Sequence, residues 1–317
     1  METRPCDKKA TKEVRELLEY FNRIEGRQII TGQHTQTKKM EEVARIEEVT
    51  GKKPALCGFE LLAYSPNIKR ETGDTDCLTE IDAATGTMEE ALAWGESGGL
   101  VTLTWHWFSP IGGWDKSFYS KNTDFDAEKV LSEGTEERKA FFNDMSIMAE
   151  ILREFQNRNI PVLWRPFHEA EGDWFWWSKK GADVVKGLWT LMFNFYTNEK
   201  NLHNLVWVWN CPKKEYYVGD EYCDILTRDL YPKPHNHTSL KKEYDELKEI
   251  TKTKGIALAE TGVIPDPDAS IKENAPWLWY MTWSRDFTLT ENHNSYEFLK
   301  NLYNNDSVVT FDRIKRN

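Results

Sequence analysis

The chain has 317 residues, and its 41 basic side chains against 52 acidic ones give a net charge of −11 at neutral pH. This charge argues against nucleic acid or an anionic membrane surface as a partner and favours a neutral ligand. No stretch is apolar for long enough to span a bilayer, and the first residues lack the apolar core of a signal peptide. We therefore expect no nucleic-acid or membrane partner, and a protein that is either cytosolic or has lost a targeting segment.

Apolar runs of strand length alternate with amphipathic helical stretches along the whole chain, which is typical of strand–helix units around a parallel sheet. Strands are predicted at about 28–32, 54–60, 100–104, 160–165, 205–210, 224–230, 255–262 and 278–283. Helices are predicted at about 9–23, 38–49, 88–95, 136–157, 182–196, 240–251 and 295–303, and a long loop at about 63–86. Eight repeats predict an α/β fold, a (β/α)8 TIM barrel at about 28–305, within one catalytic domain covering residues 1–317.

The tryptophan and cysteine contents restrict the kind of site further. Fourteen tryptophans are more than a core of this size needs, and indole stacks well on a sugar ring, although we assign about half of them to packing. The five cysteines are odd in number and show none of the paired spacings of a zinc site. Cys57 and Cys211 lie in apolar runs and are expected to be buried thiols, and Cys57 with Cys77 could close a loop.

Polar side chains follow the predicted strands at their carboxyl ends, where the active sites of such barrels lie. Glu169 at the end of the fourth strand and Glu260 at the end of the seventh can face each other across the barrel mouth. Glycoside hydrolysis requires such a pair, one carboxyl protonated to donate to the leaving oxygen and one ionised to attack the anomeric carbon. Either carboxylate taken alone could instead cap the following helix. The full set of polar strand-end residues is Glu60, His106, His168, Glu169, Asn210, Asp229, Tyr231, Glu260, Trp283 and Arg285.

Glu169 is the better candidate for the acid because three indoles, Trp174, Trp176 and Trp177, follow it and would desolvate its carboxyl group. Glu260 needs cationic or hydroxyl donors to stay ionised. The candidate donors are Arg165, Arg285 and Tyr231.

Two histidines at strand ends raise the question of a metal. His106 and His168 lack a partner at metal-ligand spacing, so we expect no metal and no cofactor. Hydrogen bonding to sugar hydroxyls, or orienting a catalytic glutamate, is the role that we expect for them.

The run Trp164-Arg165-Pro166-Phe167-His168-Glu169, followed by Trp174-Phe175-Trp176-Trp177, resembles the signature of glycoside hydrolase family 26, the β-mannanases of the retaining (β/α)8 clan. Weaker similarities lie at Trp105-His106-Trp107, Asp229-Leu230-Tyr231 and Leu258-Ala259-Glu260-Thr261-Gly262. The sequence departs from the family pattern at Ala170-Glu171-Gly172-Asp173, beside the expected acid, and this leaves the substrate preference open.

The resemblance implies a role for each matching residue. Glu169 would be the acid/base and Glu260 the nucleophile. His168 would contact the reacting sugar, Tyr231 would donate a hydrogen bond to the nucleophile, and Trp283 would form the platform of the −1 subsite. The remaining candidate substrate-binding residues are His106, Trp107, Trp114, Trp174 and Arg285.

These observations together predict a retaining endo-β-1,4-mannanase that acts on mannan, glucomannan or galactomannan as a monomer. From this function we expect a secreted, periplasmic or cell-surface enzyme. Mixed-linkage β-1,3-1,4-glucan, β-1,3-xylan or exo-acting mannobiohydrolysis stay open as alternatives. A carbohydrate-binding protein is the non-enzymatic alternative, and a metal-dependent lyase or aldolase lacks its ligand cluster and strand-end lysine.

Overall fold

The structure is a computed structural model that describes residues 4–314. Its helices and strands follow one another as α1 (Lys12–Ile24), β1 (Ile29–Thr35), α2 (Glu41–Thr50), β2 (Leu56–Glu60), α3 (Thr75–Ala84), α4 (Thr87–Glu96), β3 (Leu100–Thr104), α5 (Glu136–Asn157), β4 (Val162–Arg165), α6 (Ala182–Asn194), β5 (Leu205–Asn210), β6 (Ile225–Leu230), α7 (Lys241–Ile250), β7 (Gly255–Thr261), α8 (Pro267–Lys272), β8 (Trp279–Thr282), α9 (Asp286–Leu289), α10 (Tyr296–Asn304) and β9 (Val308–Val309). A π-helical turn, Phe195–Glu199, continues α6.

Strands β1 to β8 form a closed parallel barrel, and the prediction of a (β/α)8 fold is confirmed. Each strand pairs in parallel with its neighbour in sequence, and β1 closes the barrel by pairing with both β2 and β8. The short strand β9 adds to β1 from outside, with Ile29 opposite Val308. Because all eight strands run in the same direction, their carboxyl ends meet at one mouth, where the polar side chains gather.

Helix α1 closes the opposite end of the barrel. Its apolar face, which includes Val14, Leu17 and Phe21, packs in one buried cluster with side chains from inside the barrel. The rings of Phe21 and Trp279 lie 5.8 Å apart between their centroids. A larger apolar cluster fills the space between the sheet and the surrounding helices. The mouth is therefore the end that is left for chemistry.

The predicted elements differ from the structure in a few places. The stretch predicted as a long loop at 63–86 contains helix α3, whose first turn is capped by the Asp74 carboxylate accepting from the Cys77 backbone N–H. Strand β1 continues to Thr35 instead of ending near residue 32. Helices α8 and α9 and strand β9 were not predicted.

The structure also tests the predictions about the cysteines and about membrane-spanning stretches. Cys57 and Cys211 are buried, as predicted, and all five cysteines are free thiols, so the Cys57–Cys77 bridge is not formed. None of the helices within residues 4–314 is long and apolar enough to cross a membrane.

Candidate active site

Three carboxyl groups meet at the barrel mouth. Glu169 follows β4, Asp229 lies in β6 and Glu260 lies in β7, and one oxygen of each lies within 4.8 Å of the others. The parallel register brings two of them together directly, because Asp229 and Glu260 are opposite each other across β6 and β7. Carboxyl groups stand about 5–5.5 Å apart in retaining glycosidases and about 6.5–9.5 Å apart in inverting ones. The approach of Glu169 to Glu260 fits the retaining geometry.

Two donors hold the carboxylate of Glu260. A guanidinium nitrogen of Arg165, Nη2, donates to Oε1, and the Tyr231 hydroxyl donates to Oε2 at 2.7 Å. The second guanidinium nitrogen, Nη1, donates to Asp229 Oδ2 at 3.1 Å. Arg165 is buried, so its charge is poorly screened by solvent and its attraction to the carboxylate beside it is strong. Both oxygens of the Glu260 carboxylate are thus held in place by a donor.

Arg285 was also predicted as a possible counter-ion of Glu260, and this prediction is wrong. Its guanidinium side chain is 58% exposed and Nη2 lies 3.9 Å from Oε1 of Glu80 in α3. The backbone N–H of Arg285 donates to the buried Glu42 carboxylate at 2.8 Å. Arg285 therefore ties the loop after β8 to its neighbours, and its contact with substrate stays a prediction.

Glu169 lies in a strained turn that is anchored to the neighbouring strand. Its backbone is left-handed, with φ of 51°, and its N–H donates to Asn210 Oδ1 at 2.6 Å. The indole N–H of Trp174 donates to Glu169 Oε2 at 2.7 Å. Burial, and then the negative charge of Glu260, raise the pKa of Glu169 to about 7. This carboxyl group is consequently half protonated near neutral pH, as a general acid requires.

Asp229 and Asn210 link the two halves of the site, although the sequence analysis predicted only that they lie at strand ends. The Asn210 amide donates to Asp229 Oδ1 at 2.8 Å while its oxygen accepts from Glu169. Burial, and then the charge of Glu260, raise the pKa of Asp229 well above its ordinary value. The Arg165 guanidinium is ion-paired with both Asp229 and Glu260. The positive charge between these two carboxylates is therefore supplied by the protein itself.

Two histidines near the carboxylates differ in charge. Burial lowers the pKa of His106, but the charge of Glu60 and a 2.7 Å hydrogen bond to it outweigh burial and leave the pKa above its ordinary value. Burial, and then the neighbouring His106, lower the pKa of His168 well below its ordinary value. The two rings are 4.6 Å apart between centroids. His168 is therefore neutral and can accept or donate a hydrogen bond at the mouth.

The predicted sugar platform, Trp283, rests on a histidine that sequence reasoning missed. The His34 ring stacks on Trp283 with centroids 4.2 Å apart and planes within 6°. His34 is fully buried, and burial followed by the charge of Arg165 lowers its pKa well below the ordinary value. Gln33, His34 and Thr35 directly follow the apolar run that predicted β1, and the strand continues through them. Their polar side chains at a strand end were the signal that could have indicated His34.

The tryptophans divide between core and cleft. Trp107 has no exposed surface, stacks on Trp105 at 4.0 Å and donates its indole N–H to Asp144, so the prediction that it lines a subsite is wrong. Trp176 and Trp177 are also buried in the core, and only Trp174 of the three indoles hydrogen-bonds the Glu169 carboxyl group. The loop after β3 carries Trp114, which is exposed and stays a predicted substrate contact.

Comparison with known proteins agrees with this geometry. The chain matches the model of glycosyl hydrolase family 26 over residues 6–313. It is 36% identical to a mannan endo-1,4-β-mannosidase of Thermothelomyces thermophilus, a match that covers 96% of this chain and 62% of the relative. It is 28% identical to mannan endo-1,4-β-mannosidase B of Piromyces sp, covering 96% of this chain and 52% of the relative. The chain thus spans only part of the length of these relatives.

Solved structures show the same similarity. A GH26-CBM35 β-(1,4)-mannanase from Podospora anserina superimposes with a TM-score of 0.90 at 32% identity, covering 100% of this chain and 70% of that one. A β-mannanase from a symbiotic protist of the termite Reticulitermes speratus, complexed with gluco-manno-oligosaccharide, has a TM-score of 0.88 at 28% identity. That match covers 99% of this chain and 98% of the other.

Proposed function

Because the chain belongs to glycosyl hydrolase family 26, we propose that it is a retaining endo-β-1,4-mannanase with Glu169 as acid/base and Glu260 as nucleophile. The observation that carries the proposal is the pair of unlike carboxyl groups. Glu169 has a pKa raised to about 7, whereas Glu260, within 4.8 Å of it, is ion-paired with Arg165. The mannanase names of the relatives and the oligosaccharide in one similar structure support mannan or glucomannan as the substrate class.

In the first step, the Glu169 carboxyl group donates its proton to the glycosidic oxygen while a Glu260 oxygen attacks the anomeric carbon. The bond to the leaving sugar breaks, and a glycosyl ester with Glu260 forms. Tyr231 and Arg165 hold Glu260 in position before the attack, through the hydrogen bonds described above. His168 and Trp283 flank the place where the reacting sugar would sit.

In the second step, the Glu169 carboxylate takes a proton from a water molecule, which attacks the anomeric carbon and releases Glu260. Two inversions at the same carbon give net retention. Once Glu260 is esterified, it no longer carries the charge that raises the pKa of Glu169. The pKa of Glu169 then falls, and the residue becomes available as the base that this step needs.

The acid role is tested by the leaving group. Glu169→Ala is expected to reduce hydrolysis of mannan far more than hydrolysis of an activated aryl mannoside, because the aryl group leaves without protonation. The measurement is kcat/KM on both substrates for the variant and the unchanged protein. Equal losses on the two substrates would contradict the assignment.

The substrate is tested by the products. Reducing-sugar release from mannan, glucomannan, mixed-linkage glucan and β-1,3-xylan is expected to be greatest on the mannans, with products of many sizes early in the reaction. Release of mannobiose alone would favour exo action instead. The anomeric configuration of the first product, followed by NMR, is expected to match that of the substrate, and inversion would overturn the mechanism.

A chelator separates this proposal from a metal-dependent lyase on the same barrel. Prior incubation with excess EDTA is expected to leave mannan hydrolysis unchanged, because the Arg165 guanidinium already occupies the place between Asp229 and Glu260 as their shared cation. Loss of activity that returns with a divalent metal would contradict this.

A further inference from the structure

A groove lies on the flank of the barrel, outside the carboxylate site. It runs between the loop after β2, the loop after β3 and the first turns of α5. Two adjoining cavities, of about 490 and about 360 Å³, share Asn67, Pro110 and Ile111 in their walls. Each volume lies in the range of small-molecule sites, which is about 300–1,000 Å³.

A buried carboxylate forms part of the groove wall. Asp144 of α5 is 1% exposed, and its Oδ2 accepts from the Asn67 amide at 2.5 Å and from the Trp107 indole at 2.8 Å. Its Oδ1 is buried and has no hydrogen-bond partner within residues 4–314. The adjacent Asn143 amide is nevertheless near enough to favour the charged form, while burial raises the pKa of Asp144 to about 6. A buried acceptor without a donor is costly, so a ligand hydroxyl that reached this oxygen through a shift of the adjacent side chains would gain the hydrogen bond that it lacks.

The end of β3 separates the groove from the catalytic cleft. Successive residues of an extended segment point to opposite sides. His106 faces the mouth, where it binds Glu60 and packs on His168, whereas Trp107 points the other way and donates to Asp144. The groove is therefore behind the layer that carries His106, and a ligand in it would not contact the carboxylate pair.

The remaining wall of the groove suits a neutral, polyhydroxylated ligand. Ile111 is 41% exposed and, with Pro110, offers an apolar surface of the kind that packs on the CH face of a pyranose. At the rim, the Lys139 ammonium donates to Glu136 at 2.7 Å, so these two charges largely cancel. The unpaired carboxylate oxygen of Asp144 disfavours an anion.

We propose that this groove is a second saccharide-binding site, which holds a stretch of β-mannan chain while another stretch occupies the catalytic cleft. This inference rests on the proposed mannanase function for the identity of the sugar. Asp144 Oδ1 would accept a sugar hydroxyl, the Asn143 amide would donate to another, and Ile111 would pack on the ring. Holding the polymer at two places raises the effective concentration of substrate at the cleft.

The test is a calorimetric titration with mannopentaose of the full chain carrying Glu260→Gln, which prevents turnover. Two classes of site are expected. Adding Ala140→Trp, which fills the groove from α5, is expected to remove the weaker class or weaken it by at least about tenfold. The control is Lys242→Trp, an added indole on the 84% exposed position of α7, and it should retain both classes.

Ile111→Ser provides a second variant that removes the apolar surface without adding bulk, and it is expected to weaken the same class if Ala140→Trp does not fold. Both groove variants, made with Glu260 intact, should keep kcat/KM on an aryl mannobioside and lose activity on insoluble mannan. A single class of site before substitution, or a second class that survives both groove variants, would overturn the inference. If the unchanged protein hydrolyses mannan but the Glu260→Gln variant shows only one class of site, the groove proposal fails alone; if the unchanged protein hydrolyses no mannan, the proposed function fails.

Discussion

Replacing Trp174 with phenylalanine is expected to raise the pH at which activity declines, although the change removes a residue beside the acid. The Trp174 indole N–H donates to Glu169 Oε2 at 2.7 Å and so stabilises the ionised carboxylate. Phenylalanine keeps an aromatic ring but has no donor. Without that hydrogen bond the ionised form is less favoured, the pKa of Glu169 rises above about 7, and the acid stays protonated to higher pH.

The size of the shift follows from the exposure of the indole. A hydrogen bond to a charged group contributes about 1.5–3 kcal/mol when it is buried, and one pKa unit corresponds to about 1.36 kcal/mol. Trp174 is 44% exposed, so water can replace much of the lost interaction. We therefore expect an upward shift of about 0.5–1 unit in the alkaline limb of the kcat/KM profile.

A neighbouring substitution should move the same limb in the opposite direction. The partly buried Glu171 carboxylate raises the pKa of Glu169 through its negative charge, so Glu171→Gln is expected to lower it. Both profiles are measured as kcat/KM on an aryl mannobioside across about pH 4–9. An alkaline limb that stays in place in Trp174→Phe, or shifts downwards, would refute the role of the indole hydrogen bond.

Two further substitutions test the nucleophile and the barrel wall. Tyr231→Phe removes the 2.7 Å hydrogen bond to Glu260 and is expected to lower kcat about 10- to 100-fold with little change in KM. Steady-state kinetics on mannan measure both constants. A higher KM with unchanged kcat would contradict a role at the nucleophile. Gly58→Ala would place a Cβ 2.5 Å from the Met281 sulfur and 2.7 Å from His34 Nδ1, so we expect the free energy of unfolding in urea to fall by about 1–3 kcal/mol. Unchanged stability would show that these side chains move away freely.

The fold could be predicted from the sequence because barrel strands are short, apolar and regularly spaced. The predicted bounds of β3 and β5 match the structure, since both strands are bounded by clear changes in composition. The prediction failed where polar residues continue a strand. Residues Gln33, His34 and Thr35 belong to β1, and ending the predicted strand before them concealed the support beneath Trp283.

The sequence predicted that Glu169 and Glu260 meet at the barrel mouth, but not all the contacts around them. Spacing along the chain indicated Glu169 and Glu260 because strand ends meet at one mouth. It could not show which side of an extended segment faces that mouth, so Trp107 was assigned to the cleft together with His106 although the two point in opposite directions. Nor could it distinguish Arg285 from Arg165 as the counter-ion, because the choice depends on side-chain reach in three dimensions.

The position of the acid depends on strand ends other than its own. A left-handed backbone at a residue other than glycine costs about 1–2 kcal/mol, and Glu169 is held there by Asn210. The same Asn210 side chain donates to Asp229, which shares Arg165 with Glu260. A continuous chain of polar contacts thus runs from acid to nucleophile through β5, β6 and β4. The side chains of residues 170–173 are not links in this chain of side-chain contacts, although the backbone N–H groups of Ala170 and Gly172 donate to the carbonyl oxygens of Asn210 and Glu169. We therefore expect their departure from the family pattern to affect the preferred sugar more than the separation of the two carboxyl groups.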